Sequence, residues 1–262
     1  MKGFDAFASD LERRMCPPQE NLLVLRRVDS TNSLARRVIR EYANDDLEPP
    51  RLWIFGYAQG AGRGRQGRAW VSSPGLGVYA TLCLGRIGRD ALEALPLIVA
   101  ESLCGTLNRW VGGRCQIKWP NDLVIGGRKI GGILIESVLR GDRAASAIVG
   151  FGVNHGHDQD ALPTGQATSL RREGAASGSL AETAAELALG LDEALARRDD
   201  ALSVARRYAA LSAHAAGDPL RCRVAAGEVV EGDFAGFDER GFLRLRTPAG
   251  DRLVAAGEVI ES

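Results

Sequence analysis

The sequence is poor in lysine. Of its 33 basic residues only Lys2, Lys118 and Lys129 are lysines, and arginine supplies the rest. Lysine carries a compact ammonium on a flexible stem, whereas the guanidinium of arginine is planar and rigid, so the two are not interchangeable at a reacting centre. The two internal lysines are therefore candidates for such a centre, although chance retention on a solvated hairpin would also account for them.

Paired cysteines, long apolar runs and a net charge are also missing. The five cysteines are scattered without any C-x-x-C spacing, which indicates reduced thiols rather than a disulfide framework or a zinc site. No apolar run approaches the roughly 20 residues of a membrane span. The first residues contain no apolar segment of the kind found in signal peptides. We expect a cytoplasmic protein that does not associate with membranes.

Histidine is scarce too. His155 and His157 stand one residue apart and could form half of a metal site, but no cysteine or third nearby histidine completes a ligand set. We expect both to be loop histidines, either beside a ligand pocket or exposed.

Acidic residues are absent between Pro49 and Arg89, and this interval contains the most informative segment of the chain. In the cationic loop, residues 59–70, four glycines alternate with Arg63, Arg65 and Arg68. Glycine lets a backbone wrap closely around a ligand, and arginine offers donors that match carboxylate and phosphate oxygens. Because the whole chain is neutral, this loop indicates a specific anionic ligand rather than a general polyanion surface.

Two other interpretations of the cationic loop are available. Gly62, Gly64 and Gly67 satisfy the pattern G-x-G-x-x-G, but a dinucleotide fingerprint requires a helix directly afterwards. The residues after Trp70 predict a turn and another strand instead. The plainer alternative is a mobile surface loop rich in arginine.

A second motif follows a predicted strand at 115–117. The segment 118–122, with the sequence KWPND, combines a lysine, an amide and a carboxylate, and its Pro-Asn-Asp part predicts a tight turn. A Gly-Gly turn at 126–127 then separates two apolar runs, which predicts a hairpin with Lys129 at the start of its second strand. Asp122 could also serve only to stabilise the turn.

The remaining patterns predict an α+β fold with a mixed β-sheet and flanking helices, because strands and helices occur without strict βαβ alternation. Strands are expected at 21–28, 52–58, 77–84, 115–117 and 144–153, and helices at 31–44, 90–110 and 179–214. Ser30 or Thr31 and Ser179 are the expected N-caps, and Asp90 with Glu93 matches a capping box.

The composition changes at Gly217. Beyond it, short apolar runs are separated by regularly spaced glycines, which predicts a small β-barrel. We therefore expect one domain at residues 1–216 and a second at 217–262.

The motifs occur in an order that resembles the biotin protein ligase family. They are DSTN at 29–32, GRGRQGRAW at 62–70, KWPND at 118–122, RKIGGIL at 128–134 and GFGVN at 150–154. The resemblance covers the chain from about residue 22 to its end. It implies a class II synthetase-like biotin/lipoate ligase domain with an SH3-like C-terminal β domain. It also implies ATP-dependent activation of biotin to biotinyl-5′-AMP and transfer to a lysine of a biotin carboxyl carrier domain.

The resemblance implies roles for individual residues as well. Lys129, Arg65 and Lys118 would be catalytic, and Lys129 would hold the biotin carboxylate and the α-phosphate. The expected biotin contacts are Ser30, Thr31, Asn32, Gln59, Gly62, Arg63, Arg65, Lys129, Gly131 and Gly132. The expected ATP or adenylate contacts are Arg65, Arg68, Trp70, Lys118, Asn121 and Asn154. Asp122 would help to bind Mg²⁺, so ATP and Mg²⁺ are the expected cofactors.

Several of these residues also have plainer roles available. Ser30 and Thr31 could be only a helix cap, Trp70 could be part of the core, and Asn154 could simply end a strand. Gln66 stands where many relatives have a third arginine, which removes one charge from the cationic loop.

Many bacterial relatives carry an N-terminal winged helix that binds DNA. About twenty residues precede the first predicted strand, which is too few for that domain. We therefore expect no DNA binding and no repressor role. The expected oligomeric state is a monomer or a homodimer.

Two other functions are left open. A lipoate or octanoate ligase would use a similar fold, but segment 118–122 and the C-terminal β domain favour biotin. A non-catalytic, adenylate-binding regulatory module is the alternative from another class, and the presence of Lys118, Asp122 and Lys129 argues against it.

Overall fold

The computed structural model describes residues 2–16, 21–140, 144–162, 164–197, 199–224 and 227–260. Its larger sheet has seven strands in the order β1-β2-β3-β7-β6-β5-β4. These strands are β1 (Leu22–Leu25), β2 (Leu52–Gly56), β3 (Gly77–Ile87), β4 (Cys115–Lys118), β5 (Asp122–Ile125), β6 (Arg128–Arg140) and β7 (Ala144–Asn154). Only β1 and β2 pair in parallel, and the other neighbours are antiparallel, so the sheet is mixed as expected.

Five α-helices in the described part of the chain accompany this sheet. They are α1 (Lys2–Met15), α2 (Thr31–Asn44), α3 (Arg89–Val111), α4 (Leu180–Ala196) and α5 (Ala201–Ala210). Alternate residues of a strand point to opposite faces of a sheet, and the core divides accordingly. Trp53 and Phe55 of β2 belong to the larger cluster with α1, α3, α4 and α5, whereas Ile54 belongs to a smaller cluster with Ala35 and Ile39 of α2. Helix α2 therefore occupies the other face alone among the described helices.

Two of the sequence motifs, at 29–32 and 150–154, meet on the face that α2 covers. Helix α2 begins at Thr31, directly after the N-cap Ser30, whose hydroxyl accepts the backbone N–H of Ser33 at 3.4 Å. Gly150 and Gly152 follow Ile148 at every second residue along β7, so all three lie on the side of the sheet that faces α2. The start of α2 and the glycine-rich middle of β7 are thereby placed on the same side of the sheet.

The C-terminal part forms a separate antiparallel sheet. Its strands are β8 (Pro219–Val224), β9 (Val229–Phe237), β10 (Leu243–Thr247), β11 (Gly250–Val254) and β12 (Gly257–Ile260), in the order β11-β10-β9-β8-β12. The buried side chains alternate along β8 and β10, as in a strand with one buried face. The expected small C-terminal β domain of the SH3-like type is confirmed.

Two local features differ from the predictions. Helix α1 was not predicted, although Phe4, Phe7, Leu11 and Met15 recur at helical spacing and pack into the main core. The capping box at 90–93 is wrong. Gly88 is the N-cap of α3 without a side-chain bond, and Glu93 instead pairs with Arg89 one turn earlier at 3.1 Å.

Candidate active site

A cavity of about 170 Å³ opens at the N-terminus of α2, between the cationic loop, β5–β7 and the last strand β12. Most of the residues singled out in the sequence line it. They are Ser30, Thr31, Asn32, Gln59, Arg63, Arg65, Arg68, Trp70, Lys118, Asn121, Asp122, Lys129 and Gly132. Segments that are more than 100 residues apart in the chain, from Ser30 to Gly132, thus line one cavity.

The first turn of α2 is held by a buried polar network. Gln59 accepts the backbone N–H of Thr31 at 2.9 Å and its hydroxyl at 3.2 Å, and donates to Ser72 at 2.8 Å. The hydroxyl of Thr81 donates to Asn32 at 2.7 Å, or to Thr31 at 2.8 Å. The unpaired N–H groups of a helix start attract anionic ligand groups. This network fixes that positive end at the edge of the cavity.

Trp70 forms the floor of the cavity beside Lys129. Its indole lies on the glycines of β6 and β7, since a Cβ added at Gly152 would stand 2.5 Å from the ring and one at Gly132 would stand 3.2 Å from it. The Lys129 ammonium is 5.5 Å from the centre of the ring. These two glycines therefore leave the space that a flat aromatic side chain needs at this point.

Lys129 sits next to an irregularity of the hairpin. Leu123 of β5 pairs with Gly131 and Val124 pairs with Lys129, so the register shifts by one residue at Ile130. Segment 166–168 completes the hydrogen bonding, because Lys129 donates its N–H to Gln166 at 2.8 Å and accepts from Thr168 at 2.9 Å. A β-bulge of this kind redirects side chains and is common beside active sites.

The Lys129 ammonium forms an ion pair with Asp122, at 2.6 Å from its carboxylate. Asp122 also lies opposite Lys118 in the β4–β5 pair and opposite Gly132 in the β5–β6 pair. The hairpin prediction is confirmed, and it brings both internal lysines and the carboxylate to one side of the cavity. Both members of the ion pair are partly exposed, so the pair can exchange its partners with a ligand.

The arginines of the cationic loop have anionic or carbonyl partners in the protein itself. Arg63 reaches Glu136 at 3.1 Å. Arg65 donates to Asn121 at 3.1 Å and to the Gly257 carbonyl at 3.2 Å. Arg68 forms a two-pronged pair with Glu258. The loop thereby bridges the large sheet and the C-terminal sheet.

The backbone of the cationic loop is compact. Gly64 donates to Arg68 at 2.7 Å, and Trp70 donates to Gly62 at 2.9 Å. A short 3-10 turn covers Arg65–Gly67, and Gln66 adopts the left-handed region with φ of 55°. A strand follows after Trp70 rather than a helix, so the dinucleotide-binding alternative is excluded.

Three ionisable side chains of the site have shifted pKa values, each with a clear physical cause. Burial lowers the pKa of Arg65, and the charges of Asp122 and Glu258 partly offset this effect. The hydrogen bond to Arg68 lowers the pKa of Glu258. Burial alone would raise the pKa of Glu136, but bonds from Asn32 and Arg36 and the charge of Arg63 outweigh it, so its pKa is lowered.

Three predicted contacts do not line the cavity. Gly62 and Gly131 lie behind it, where their lack of a side chain lets neighbouring backbone approach. Asn154 is buried and donates to the Thr168 carbonyl at 2.9 Å. Its observed role is to hold the 155–178 loop, and the expected adenylate contact stays a prediction. The expectation for His157 is wrong, because it is buried away from the cavity.

The sequence did not single out Glu136 and Glu258, the two carboxylates that hold loop arginines. Glu136 also accepts from Asn32 at 3.0 Å and from Arg36 at 2.5 Å. Their partners are 73 and 190 residues away, so no local pattern points to them. The absence of acidic residues near the loop is the one signal that distant carboxylates would be needed.

Within the described ranges no three His, Cys, Asp or Glu side chains gather as a metal site. No helix in the described part of the chain combines the length and apolar character needed to cross a bilayer.

Comparisons with known proteins identify the class of this domain. Residues 24–154 match the biotin/lipoate A/B protein ligase family, and residues 221–260 match the biotin protein ligase C terminal domain. The structure is similar to that of the biotin protein ligase from Aquifex aeolicus in complex with biotin and ATP, with a TM-score of 0.72 and 23% identity. That match covers 92% of this chain and 98% of the other, and it establishes the fold of a biotin or lipoate ligase.

Two relatives of known sequence show which family of this class the chain belongs to. The chain is 33% identical over 245 residues to the biotin–[acetyl-CoA-carboxylase] ligase of Paracoccus denitrificans, covering 90% of this chain and 98% of that one. It is 29% identical to the bifunctional ligase/repressor BirA of Bacillus spizizenii, covering 87% of this chain and 71% of that one. The chain therefore belongs to the biotin protein ligase family and is an enzyme of the ligase class.

Proposed function

We propose that this protein activates biotin with ATP to form biotinyl-5′-AMP, and then transfers the biotinyl group to a lysine of a biotin carboxyl carrier domain. The observation that carries the proposal is the convergence of α2's N-terminus, Lys129 and three loop arginines on one cavity. Family membership supplies the chemistry.

The first step joins two anions. A carboxylate oxygen of biotin attacks the α-phosphorus of ATP, the bond to the β-phosphate oxygen breaks, and pyrophosphate leaves with the electron pair. The main tasks of the protein are to position the reactants and to supply positive charge. In our assignment the Lys129 ammonium gives up its ion pair with Asp122 and contacts both the biotin carboxylate and the α-phosphate. Arg65, Arg68 and Lys118 would contact the phosphates and neutralise their charge.

Biotin itself would lie at the start of α2, and the Trp70 ring that forms the floor beside it would contact the adenylate. Thr31 and Asn32 form the start of the helix at the cavity, and Gln59 holds it through a hydrogen bond. Gly132 leaves room for the Trp70 ring. Ser30 and Arg63 would complete the enclosure at the mouth. We propose these residues as the biotin contacts. Gly62 and Gly131 would act indirectly, by letting the backbone next to the cavity pack closely.

The residues of the site fit a magnesium ion that arrives on ATP. Mg²⁺ is commonly held by one or two carboxylates together with substrate phosphates rather than by an all-protein cage. Asp122 offers one such carboxylate, and Asn121 offers a neighbouring amide oxygen. We assign Asp122 to this role, in which the ion would neutralise phosphate charge. When Lys129 turns to the reacting oxygens, the Asp122 carboxylate becomes available.

In the second step the amine of a carrier lysine attacks the biotinyl carbonyl, and AMP leaves. The acyl phosphate bond breaks as the amide bond forms, so no covalent intermediate with the enzyme is required. We further propose that residues 1–216 form the catalytic domain and 217–262 the C-terminal domain.

Mass spectrometry tests the proposed function directly. Purified full-length protein is incubated with ATP, Mg²⁺, biotin and a purified biotin carboxyl carrier domain. The carrier should gain the mass of one biotinyl group, and a carrier whose acceptor lysine is changed to arginine should gain none. Modification of the carrier by lipoate but not by biotin would overturn the assignment.

A further inference from the structure

Glu173 is a buried carboxylate that the mechanism above does not use. It lies in the 155–178 loop, outside the cavity, and its side chain is only 4% exposed. It pairs with Arg114 at 2.6 Å and with Arg128 at 2.7 Å, and it accepts the Thr168 hydroxyl at 2.6 Å. Burial of a charge is costly unless pairing and hydrogen bonds compensate. Here three donors do so.

The partners of Glu173 come from three different parts of the fold. Arg114 stands between α3 and β4, where it also donates to the Val111 carbonyl at 3.0 Å. Arg128 is the first residue of β6, next to Lys129. Thr168 belongs to the loop segment that bonds to the Lys129 backbone. One carboxylate thus ties together the start of β6 and the segment that flanks it.

The orientation of Lys129 depends on that segment. At the register shift by Ile130, β6 pairs irregularly with β5. On the side away from β5, segment 166–168 is the only part of the described chain that bonds to the Lys129 backbone. It does so through a parallel bridge centred on Ala167. If segment 166–168 moves, the backbone of Lys129 loses both bonds on that side.

We propose that Glu173 is a positioning residue for Lys129. It acts through Arg128, which it holds at the start of β6, and through Thr168, which it holds against the Lys129 backbone. Its negative charge, rather than its bulk, does this work, because two arginines and a hydroxyl all require an acceptor. The kinetic part of this inference rests on the proposed biotin-activating function.

Glu173→Gln is the informative variant. Glutamine has the same shape but offers one oxygen and one amide group, so one arginine meets a donor instead of an acceptor. We expect the Lys129 backbone to loosen and its ammonium to lose its alignment. Misplacement of a reacting group by about 1 Å costs up to roughly a hundredfold in rate. We expect roughly a tenfold loss in biotinyl-AMP formation at saturating substrates for this partial displacement.

Glu101→Gln is the matched control. Glu101 of α3 also has a mostly buried carboxylate, 14% exposed, and it also pairs with two arginines, Arg197 at 3.5 Å and Arg207 at 3.4 Å. The chemical change is the same, but neither the residue nor its partners line the cavity. Thr168→Val provides a milder test, because it removes one hydrogen bond to Glu173 and keeps both ion pairs.

Two readouts separate positioning from a loss of folded protein. The first is the ratio of the two half-reactions, measured as pyrophosphate exchange and as transfer from chemically supplied biotinyl-AMP. Unfolding lowers both rates by the same factor, whereas a misplaced Lys129 lowers the first much more. The second is hydrogen exchange of the Lys129 amide without substrates, which does not depend on activity.

We expect Glu173→Gln to slow the first half-reaction roughly tenfold and the second less than twofold, by misalignment of the reacting groups. Its Lys129 amide should exchange faster than in the native protein, with Thr168→Val intermediate and Glu101→Gln unchanged. Native exchange at Lys129 in Glu173→Gln, or equal losses in both half-reactions, overturns the inference. Failure of the native protein to use biotin would refute the proposed function instead, while the exchange measurement still decides on Glu173.

Discussion

At the scale of single residues, Lys129 is the centre of the site. In the structure its ammonium is 2.6 Å from Asp122 and lies beside the Trp70 ring. The ion pair holds the charge of Lys129 in the cavity before ligands arrive, and an anionic ligand competes with Asp122 for it. A point-like ammonium can move between these partners by rotating its stem, whereas a planar guanidinium has a fixed pattern of donors.

Lys129→Arg tests this role. The variant keeps the charge, so we expect it to fold with nearly native thermal stability. Adenylate formation should lose roughly 2–4 kcal/mol of transition-state stabilisation, the range observed for loss of one electrostatic donor. Single-turnover formation of biotinyl-AMP measures the loss. A near-native rate would show that another group faces the reacting oxygens.

Glu136 gives the protein a pH-dependent contribution to stability. Its folded-state pKa is lowered below the ordinary value of 4.5, because hydrogen bonds from Asn32 and Arg36 outweigh the effect of burial. A lowered carboxyl pKa stabilises the folded state fully above pH 4.5, and this contribution is lost as pH falls through the folded-state pKa.

Glu136→Gln should therefore destabilise the protein more at pH 7 than at pH 3. Urea denaturation of the native protein and the variant at both pH values gives the two differences in the free energy of unfolding. An equal difference at the two pH values would mean that the charge of Glu136 does not matter for folding.

At the scale of elements, the glycines of β6 and β7 set the depth of the cavity. A Cβ at Gly152 would press on the Trp70 indole at 2.5 Å, so alanine there forces the ring to move. Overpacking of this kind costs roughly 1–3 kcal/mol.

We expect Gly152→Ala to weaken biotin binding roughly tenfold, because the displaced indole enters the ligand space. Isothermal titration with biotin measures the change. Gly105→Ala is the control, since a Cβ at that position of α3 meets no atom within 4 Å. Native affinity in Gly152→Ala would show that the Trp70 ring does not border the space that biotin occupies.

The cationic loop illustrates what a sequence can and cannot predict. Its glycines and arginines indicate an anion site, and the N-cap at Ser30 and the Lys129 hairpin were also predictable, because each depends on neighbouring residues. The partners of its arginines, Glu136 and Glu258, were not, since they are brought close only by the tertiary fold. Its glycines and its three like charges also predict that the loop is mobile without ligand, which amide exchange with and without biotinyl-AMP would test.

Other parts of the fold were not predicted, for different reasons. Gly88 has no side chain that could indicate the N-cap of α3, while the acidic pair at 90–93 suggested a cap that does not form. Helix α1 is as long as the predicted α2, and its apolar residues recur at helical spacing, so the sequence did carry the signal for it.

At the scale of the whole molecule, the C-terminal sheet helps to form the cavity. Trp119 of the 118–122 motif donates to the Gly241 carbonyl at 3.0 Å, and Arg65 donates to Gly257. Glu258 holds Arg68 with both carboxylate oxygens. These contacts couple the position of the cationic loop to the seating of the C-terminal sheet.

Glu258→Gln should loosen the loop without unfolding the protein. Partly exposed ion pairs contribute about 0.2–1 kcal/mol, which corresponds to roughly a 1.4- to 5-fold increase in the open state. Limited trypsin cleavage after Arg63, Arg65 or Arg68 should accelerate by that factor. Glu231→Gln is the control, because Glu231 pairs with Arg221 on the same small sheet at 2.7 Å. Equal cleavage rates in the two variants would contradict the coupling.

The dependence of ATP–pyrophosphate exchange on the added acid tests the central claim most directly. Exchange is measured with the full-length protein, ATP, Mg²⁺ and labelled pyrophosphate, with biotin, lipoate or octanoate present in separate reactions. The account predicts exchange that depends on biotin and stays near background with the other two acids. Exchange supported by lipoate or octanoate but not by biotin would contradict it.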